Sequence, residues 1–319
     1  ENEDARMKAA RQRAAYTGFA GEGTFYPPGR GFPHPLPLMS GEKVIETNPD
    51  QTQLTTRYTE KALRFIDDHQ QQPFFLYLAH AMPHVPLFVS DKFAGKSPRG
   101  LYGDVMMEVD WSAGQILGHL KKRNLDGKTL VIYTSDNGPW LQYGIDGGSA
   151  GPLRLGKLFL FEGGVRVPGI VHFPGIVPGG QEITTPFCSV DVLPTVCEWL
   201  EIDTNGMELD GVSQARYLSG SEPSVERDLF WEMGKQTSIR RGPWKLVLNG
   251  ELVEGVEDPD KVFLANLDLD PAEGTNRFND RPDLVNELRE TAEAWRRQLE
   301  ERWDREFSIE RQGTTGRTT

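Results

Sequence analysis

Asp136 and Asn137 stand side by side in "TLVIYTSDNGPW" (129–140), a run of strand formers that stops at a carboxylate, a carboxamide, a glycine and a proline. In an open parallel sheet the carboxyl ends of the strands converge on the ligand crevice, so side chains just after this run would project into it. Their oxygens are the hard ligands that calcium or magnesium prefers, although Asp-Asn-Gly-Pro is also an ordinary turn. His80 and His84 lie at the end of a second apolar run, in "FFLYLAHAMPHVP". A histidine there can bind an anion, donate a proton to a leaving group, or satisfy a loop. Lys157 stands in "LRLGKLFLFEGGVRVPG" (153–169), between Gly156 and an apolar stretch that ends in a glycine pair. Lysine is costly to bury unless an anion pairs with it, so this one is either an anion ligand or a solvated loop residue. Asp110, Glu162 and Arg166 read as ion-pair or turn residues.

The elements that must position these groups follow from periodicity. Tyr58, Ala62, Phe65 and Ile66 fall at helical spacing between Leu54 and His69, and "PFFLYLAH" (73–80) then reads as a central strand. Val105, Met106, Val109, Ala113, Ile116, Leu117 and Leu120 make one apolar face of a helix between Leu101 and Arg123, and "TLVIYT" supplies the next strand. "GGVRVPGIVHFPG" is strand-like, and "SVDVLPTVCEWL" predicts a short helix with Pro194 near its start. Alternating helix and strand predict an α/β fold, with helices on a mostly parallel central sheet. From about residue 221 the texture changes to the short β-type runs "LFWEM", "TSIRRG", "WKLVL" and "VFLANLD". A terminal helix follows, with Pro282 in its first turn and Leu284, Leu288, Ala292, Trp295 and Leu299 on one face. The expected division is therefore 1–220, an α/β domain, and 221–319, a small subdomain of sheet and helix. Residues 1–50, rich in Gly, Pro and polar side chains, predict little regular structure.

Composition narrows the function classes. With 319 residues, 37% of them hydrophobic, the chain can bury a sizeable core. Its 47 acidic and 35 basic side chains give a net charge of -12, which argues against a general affinity for nucleic acid or anionic membranes. An anionic substrate would need a local device to hold it. The two cysteines, Cys188 and Cys197, form no metal-site spacing, and no apolar stretch approaches the roughly 18 residues of a membrane span.

Taken in order, "LTTRYTEKALRFI", "PFFLYLAHAMPHVPL", "GLYGDVMMEVDWSAGQIL", "YTSDNGP", "LRLGKLFLFEGGVRVPG", "SVDVLPTV", "IRRGPWKLV" and "NLDLDPAEGTN" resemble the type I sulfatases, the arylsulfatase group of the alkaline phosphatase superfamily. The resemblance runs from about Met39 to the terminal helix. It implies an alkaline phosphatase-like fold and hydrolysis of sulfate esters, either sulfated small molecules or sulfated polysaccharides. It implies that Asp136 and Asn137 are two ligands of a single calcium ion, and that Lys157 binds sulfate oxygens. His84 would contact the sulfate and protonate the leaving alcohol. A cation, a lysine and a proton donor suit a bond that breaks with charge building on its bridging oxygen. Family habit implies a periplasmic, lysosomal or extracellular location.

Four departures qualify the resemblance. The family's nucleophile is a formylglycine made within Cys-x-Pro-Ser-Arg, and the chain has no such stretch. The paired aspartates and the Lys-x-His segment of the family are absent too. The expectation is therefore a fragment, inactive alone, that lacks on the order of a domain, ~100 residues or more, before Glu1. After Lys157 the family usually has small or hydroxyl residues where this chain has "LFLF". The alternatives are a phosphoester or phosphonate hydrolase of the same superfamily, and a non-catalytic sulfatase-like binding protein.

Overall fold

A computed structural model describes residues 36–234, 236–248, 251–253, 256–257 and 261–313. Within them the chain divides into two compact units. Unit 1 takes in residues up to 132 with 140–149 and 171–176; unit 2 takes in 133–139, 150–170 and the residues from 177 on.

Unit 1 begins with an antiparallel hairpin of β1 (Pro37–Ser40) and β2 (Lys43–Thr47), turned at Gly41 with φ 58°. This regular pairing corrects the expectation for residues 1–50 over its described part; residues 1–35 lie outside the described residues. Helix α1 (Leu54–His69) and helix α2 (Gly100–Lys122) follow where the apolar periodicity puts them. Ile66, Leu120 and Leu125 form a core with Phe74, Leu76, Ile116 and Val131 packed against it. A polar seam also joins the helices: the Thr59 and Ser112 hydroxyls are 2.6 Å apart, and Thr56 donates to Glu108 at 3.2 Å. Glu108 Oε2 also accepts the Ser90 N–H at 3.0 Å, while the buried Asp104 carboxylate takes the N–H groups of Gly95, Lys96 and Ser97. Lys121 and Lys122 lie in the last turn of α2, where cations suit the helix dipole, and Asn124 in the left-handed region (φ 57°) ends it.

The run 73–80 belongs to no sheet among the described residues, which corrects the central strand expected there. Phe75 and Tyr77 are 84% and 81% exposed. A strand is defined by ladder hydrogen bonds to a neighbour, and an apolar run carries no information about whether that neighbour is present.

The strand β3 (Val131–Thr134) forms a two-stranded sheet with β4 (Gly169–His172). Unit 2 carries the short helical turn α3 (Glu162–Val165), then α4 (Val192–Trp199) and α5 (Ala215–Leu218). It ends in an antiparallel sheet of β5 (Asp228–Met233), β6 (Gln236–Arg241), β7 (Trp244–Leu248) and β10 (Val262–Asn266) in the order β10-β7-β6-β5. Two small paired strands, β8 (Glu251–Val253) and β9 (Val256–Glu257), precede β10. Strand alternation divides the sheet's side chains between two cores. Ile239, Leu246, Leu248 and Leu264 pack on Val285, Leu288 and Ala292 of the terminal helix α6 (Pro282–Gly313). The Phe230 ring stacks on Trp295 with centroids 4.9 Å apart. On the opposite face, Val247, Phe263 and Ala265 meet Leu160 and Phe161, which belong to the Lys157 loop.

Candidate active site

At the end of β3 the chain turns on its own side chains. Asn137 N–H donates to Asp136 Oδ1 at 2.9 Å, Asn137 Nδ2 donates to the Gly138 carbonyl at 2.9 Å, and Ser135 Oγ donates to the Asn137 carbonyl at 3.0 Å. These bonds occupy Asp136 Oδ1 and Asn137 Nδ2. They leave Asp136 Oδ2 and Asn137 Oδ1 as the oxygens available to a cation, so turn and ligand are compatible readings of one dipeptide. Asp136 is exposed and Asn137 half-buried.

Lys157 is held beside this turn through the backbone. Its N–H donates to the Pro139 carbonyl at 2.8 Å, and Gly138 N–H donates to the Gly164 carbonyl at 2.9 Å. The glycines allow this approach. A Cβ on Gly138 would meet the Gly163 oxygen at 1.8 Å, one on Gly163 the Leu155 oxygen at 2.1 Å, and one on Gly164 the Phe159 oxygen at 2.0 Å. Leu155 (φ 59°) and Leu158 (φ 79°) flank Gly156 and Lys157 in the left-handed region, a strained conformation for a branched side chain that persists only where its surroundings impose it. Phe161 is fully buried, edge-on to Phe263, and the Arg154 guanidinium lies 4.3 Å and 4.4 Å from the two ring centroids.

Glu162 opens α3 and is 2% exposed. Its Oε1 accepts from Lys245 Nζ at 2.9 Å, and its own N–H donates to Glu273 Oε2 at 2.6 Å. Arg240 and Arg166 lie 3.6 Å and 3.9 Å from its other oxygen. Glu162 and Arg166 are thus the ion-pair residues the sequence suggested, whereas Asp110 is exposed. Burial pushes the Glu273 carboxyl above the usual carboxylate range, against the pull of Lys245.

Unit 1 carries the histidines. His84 is exposed, between the cis peptides Met82–Pro83 and Val85–Pro86. Its Nδ1 lies 2.6 Å from the Val85 carbonyl, a bond in which Nδ1 carries the proton and Nε2 is the nitrogen that can exchange one. The ring sits edge-on to Trp140 at 5.7 Å, and Trp140 meets Tyr143 at 4.7 Å. His80, in contrast, is a packing residue: Nε2 bonds Ser112 Oγ at 3.1 Å, Nδ1 is buried without a hydrogen-bond partner, and burial lowers its pKa.

Of the residues singled out in the sequence, unit 2 therefore brings together Asp136, Asn137 and Lys157; His84 belongs to unit 1. Among the described residues, no group of three or more His, Cys, Asp or Glu side chains could hold a metal ion. The donor chemistry of Asp136 and Asn137 suits calcium as part of a ligand set, because that ion takes six to eight oxygens. Sequence reasoning missed Gln236, Lys245 and Glu273. The usable signal was a charge within the alternation of "WKLVL", at a position that the structure turns inward.

Comparison with known proteins places these features in context. A family model described as "Sulfatase" matches residues 8–202. Human steryl-sulfatase is 40% identical over 166 residues, 50% of this chain and 28% of that protein. Bovine arylsulfatase A is 37% identical over 210 residues, 65% of this chain and 41% of that one. The chain thus spans less than half the length of these relatives. Among solved structures, Ps i-CgsB in complex with k-i-k-neocarrahexaose superposes with a TM-score of 0.71 at 27% identity, covering 82% of this chain and 58% of that one. A chain from a study of glycosaminoglycan metabolism by Bacteroides thetaiotaomicron gives 0.70 at 27% identity, covering 77% and 55%.

Proposed function

The chain belongs to the sulfatase family and has its alkaline phosphatase-like α/β fold, and we propose that it supplies part of the active site of a sulfuric ester hydrolase. The observation that carries this reading is the pair of backbone bonds, Lys157 N–H to Pro139 and Gly138 N–H to Gly164, that ties the backbone of a cationic residue to the Asp136–Asn137 turn. In this reading Lys157 binds the sulfate oxygens and neutralises charge that grows on them as the ester bond breaks. His84 protonates the departing alcohol through Nε2, its ring oriented by the Val85 carbonyl and Trp140. Asp136 Oδ2 and Asn137 Oδ1 would hold one calcium ion together with ligands from elsewhere. Such an ion supplies positive charge at the sulfate. A formylglycine nucleophile, which the family makes within Cys-x-Pro-Ser-Arg, would come from outside these residues, since the chain holds no such stretch.

Residues 1–220 are proposed as part of the catalytic domain and 221–319 as a C-terminal subdomain. The substrate class is a sulfated sugar or a small sulfated alcohol, in keeping with the steryl- and arylsulfatases and the neocarrahexaose-bound neighbour among the similar proteins. An exported location, periplasmic, lysosomal or extracellular, belongs to the same proposal; no helix among the described residues is long and apolar enough to cross a membrane.

The test is hydrolysis of an aryl sulfate by the full-length gene product. Lys157→Ala should lower kcat/KM at least ~100-fold, the scale of losing one preorganised charge-stabilising group. Unchanged turnover would remove Lys157 from the site, and a preference for the aryl phosphate or phosphonate would move the reading to phosphoester or phosphonate hydrolysis.

A further inference from the structure

Alternation along β6 and β7 turns Gln236, Ser238, Arg240 and Lys245 away from α6 and toward the face on which Leu160 and Phe161 pack. Gln236, Ser238 and Lys245 are fully buried, an unusual load of polar groups for the inner face of a small sheet. Two of them reach the segment after Lys157. Gln236 Nε2 donates to the Leu158 carbonyl at 3.2 Å, and Lys245 Nζ pairs with Glu162 at 2.9 Å and Glu273 at 3.4 Å. Glu273, itself at φ 50°, receives the Glu162 N–H, and its carbonyl accepts from Arg154 Nη1 at 3.1 Å. Arg154 in turn accepts the Gly163 N–H at 2.9 Å through its carbonyl. The segment 154–164 is thus gripped by side chains of the C-terminal sheet just after Lys157 and again at Glu162.

We propose that Gln236 and Lys245 are positioning residues that set the conformation of the Lys157 loop, and through it the affinity of the site for sulfate. Buried charges add little net stability over apolar residues of equal volume, so a role in geometry explains their place better than a role in folding energy. Strain at Leu155 and Leu158 agrees with a loop held in shape from outside. Neither residue touches the reacting atoms in this account; both act through the Leu158 carbonyl and Glu162.

The inference rests on Lys157 as the sulfate ligand, and the experiment separates the two. Inhibition of the full-length gene product by inorganic sulfate is measured with turnover of an aryl sulfate, thermal midpoint and hydrogen exchange at the Lys157 amide. Gln236→Met, close in volume, should keep the midpoint within a few degrees. It should weaken sulfate inhibition at least ~10-fold, since displacements of about an ångström have effects of that order, and speed exchange at the Lys157 amide. Lys245→Met should lose sulfate inhibition or the fold, and Lys245→Arg should restore part of the lost inhibition. Wild-type sulfate inhibition and exchange in Gln236→Met, with inhibition lost in Lys157→Ala, would overturn this inference and leave the proposed function standing. Wild-type inhibition in Lys157→Ala would overturn both.

Discussion

Gly138 shows how one missing atom governs a site. Because a Cβ there would meet a backbone oxygen at 1.8 Å, neither rotamer change nor a flexible neighbour can make room. Gly138→Ala should force the strand-end turn off the Lys157 loop and destabilise the protein by about 1–3 kcal/mol or more, read from denaturant midpoints. A midpoint equal to wild type would mean that the loop adapts. His80 gives a pH-dependent counterpart. Burial lowers its pKa in the folded state, the Glu108 charge opposing, so the unfolded state binds more protons below the ordinary histidine pKa of about 6.5. Stability from this residue is complete above that pH and is lost as pH falls toward the folded value. His80→Gln, which keeps a hydrogen-bonding partner for Ser112, should flatten the slope of stability against pH below about 6.5. An unchanged slope would assign the acid sensitivity to other groups.

Elements differed in how far their residues announced them. Helices α1 and α2 and the strands β5, β6, β7 and β10 could be read directly, because each buries its apolar residues at the period of its own backbone. The hairpin at residues 37–47 was hidden by Gly41 and by side chains that are mostly exposed, and the run 73–80 misled because an apolar strand pattern says nothing about a pairing partner. At the site, Asp136, Asn137 and Lys157 were legible as residue types at a strand end and a glycine-rich loop. The grip of Gln236 and Lys245 was not, since a polar residue in an alternating strand reads as solvent-facing unless the covering layer is known. That layer here is two-sided. Its α6 side carries a separate prediction: Leu288, fully buried against Ile239 and Leu264, should cost about 2–5 kcal/mol when changed to Ala. The Lys157 loop packs on the other face, so folded Leu288→Ala should keep wild-type sulfate inhibition. Lost inhibition in the folded variant would show that the two faces are coupled.

At the scale of the whole molecule, a net charge of -12 sets the chain against the anion it is proposed to bind. Exposed charges beyond roughly 10 Å are largely screened at 0.1 M salt, so attraction must come from cations within the site, and Lys157 alone offers one charge. A divalent ion at Asp136 and Asn137 would add two. Because calcium bound to the folded state alone stabilises it by mass action, binding is measurable without turnover. If the affinity is millimolar, as in sites with few carboxylates, 10 mM calcium should add about 1.4 kcal/mol and raise the thermal midpoint. Magnesium, which resists dehydration and demands octahedral geometry, should add less. Asp136→Ala should abolish the calcium increment, and the comparison is made within the variant: it also loses the bond from Asn137 N–H, so its own stability in chelator should fall by about 0.5–1.5 kcal/mol. An equal calcium increment in wild type and Asp136→Ala would place the ion elsewhere on this acidic chain.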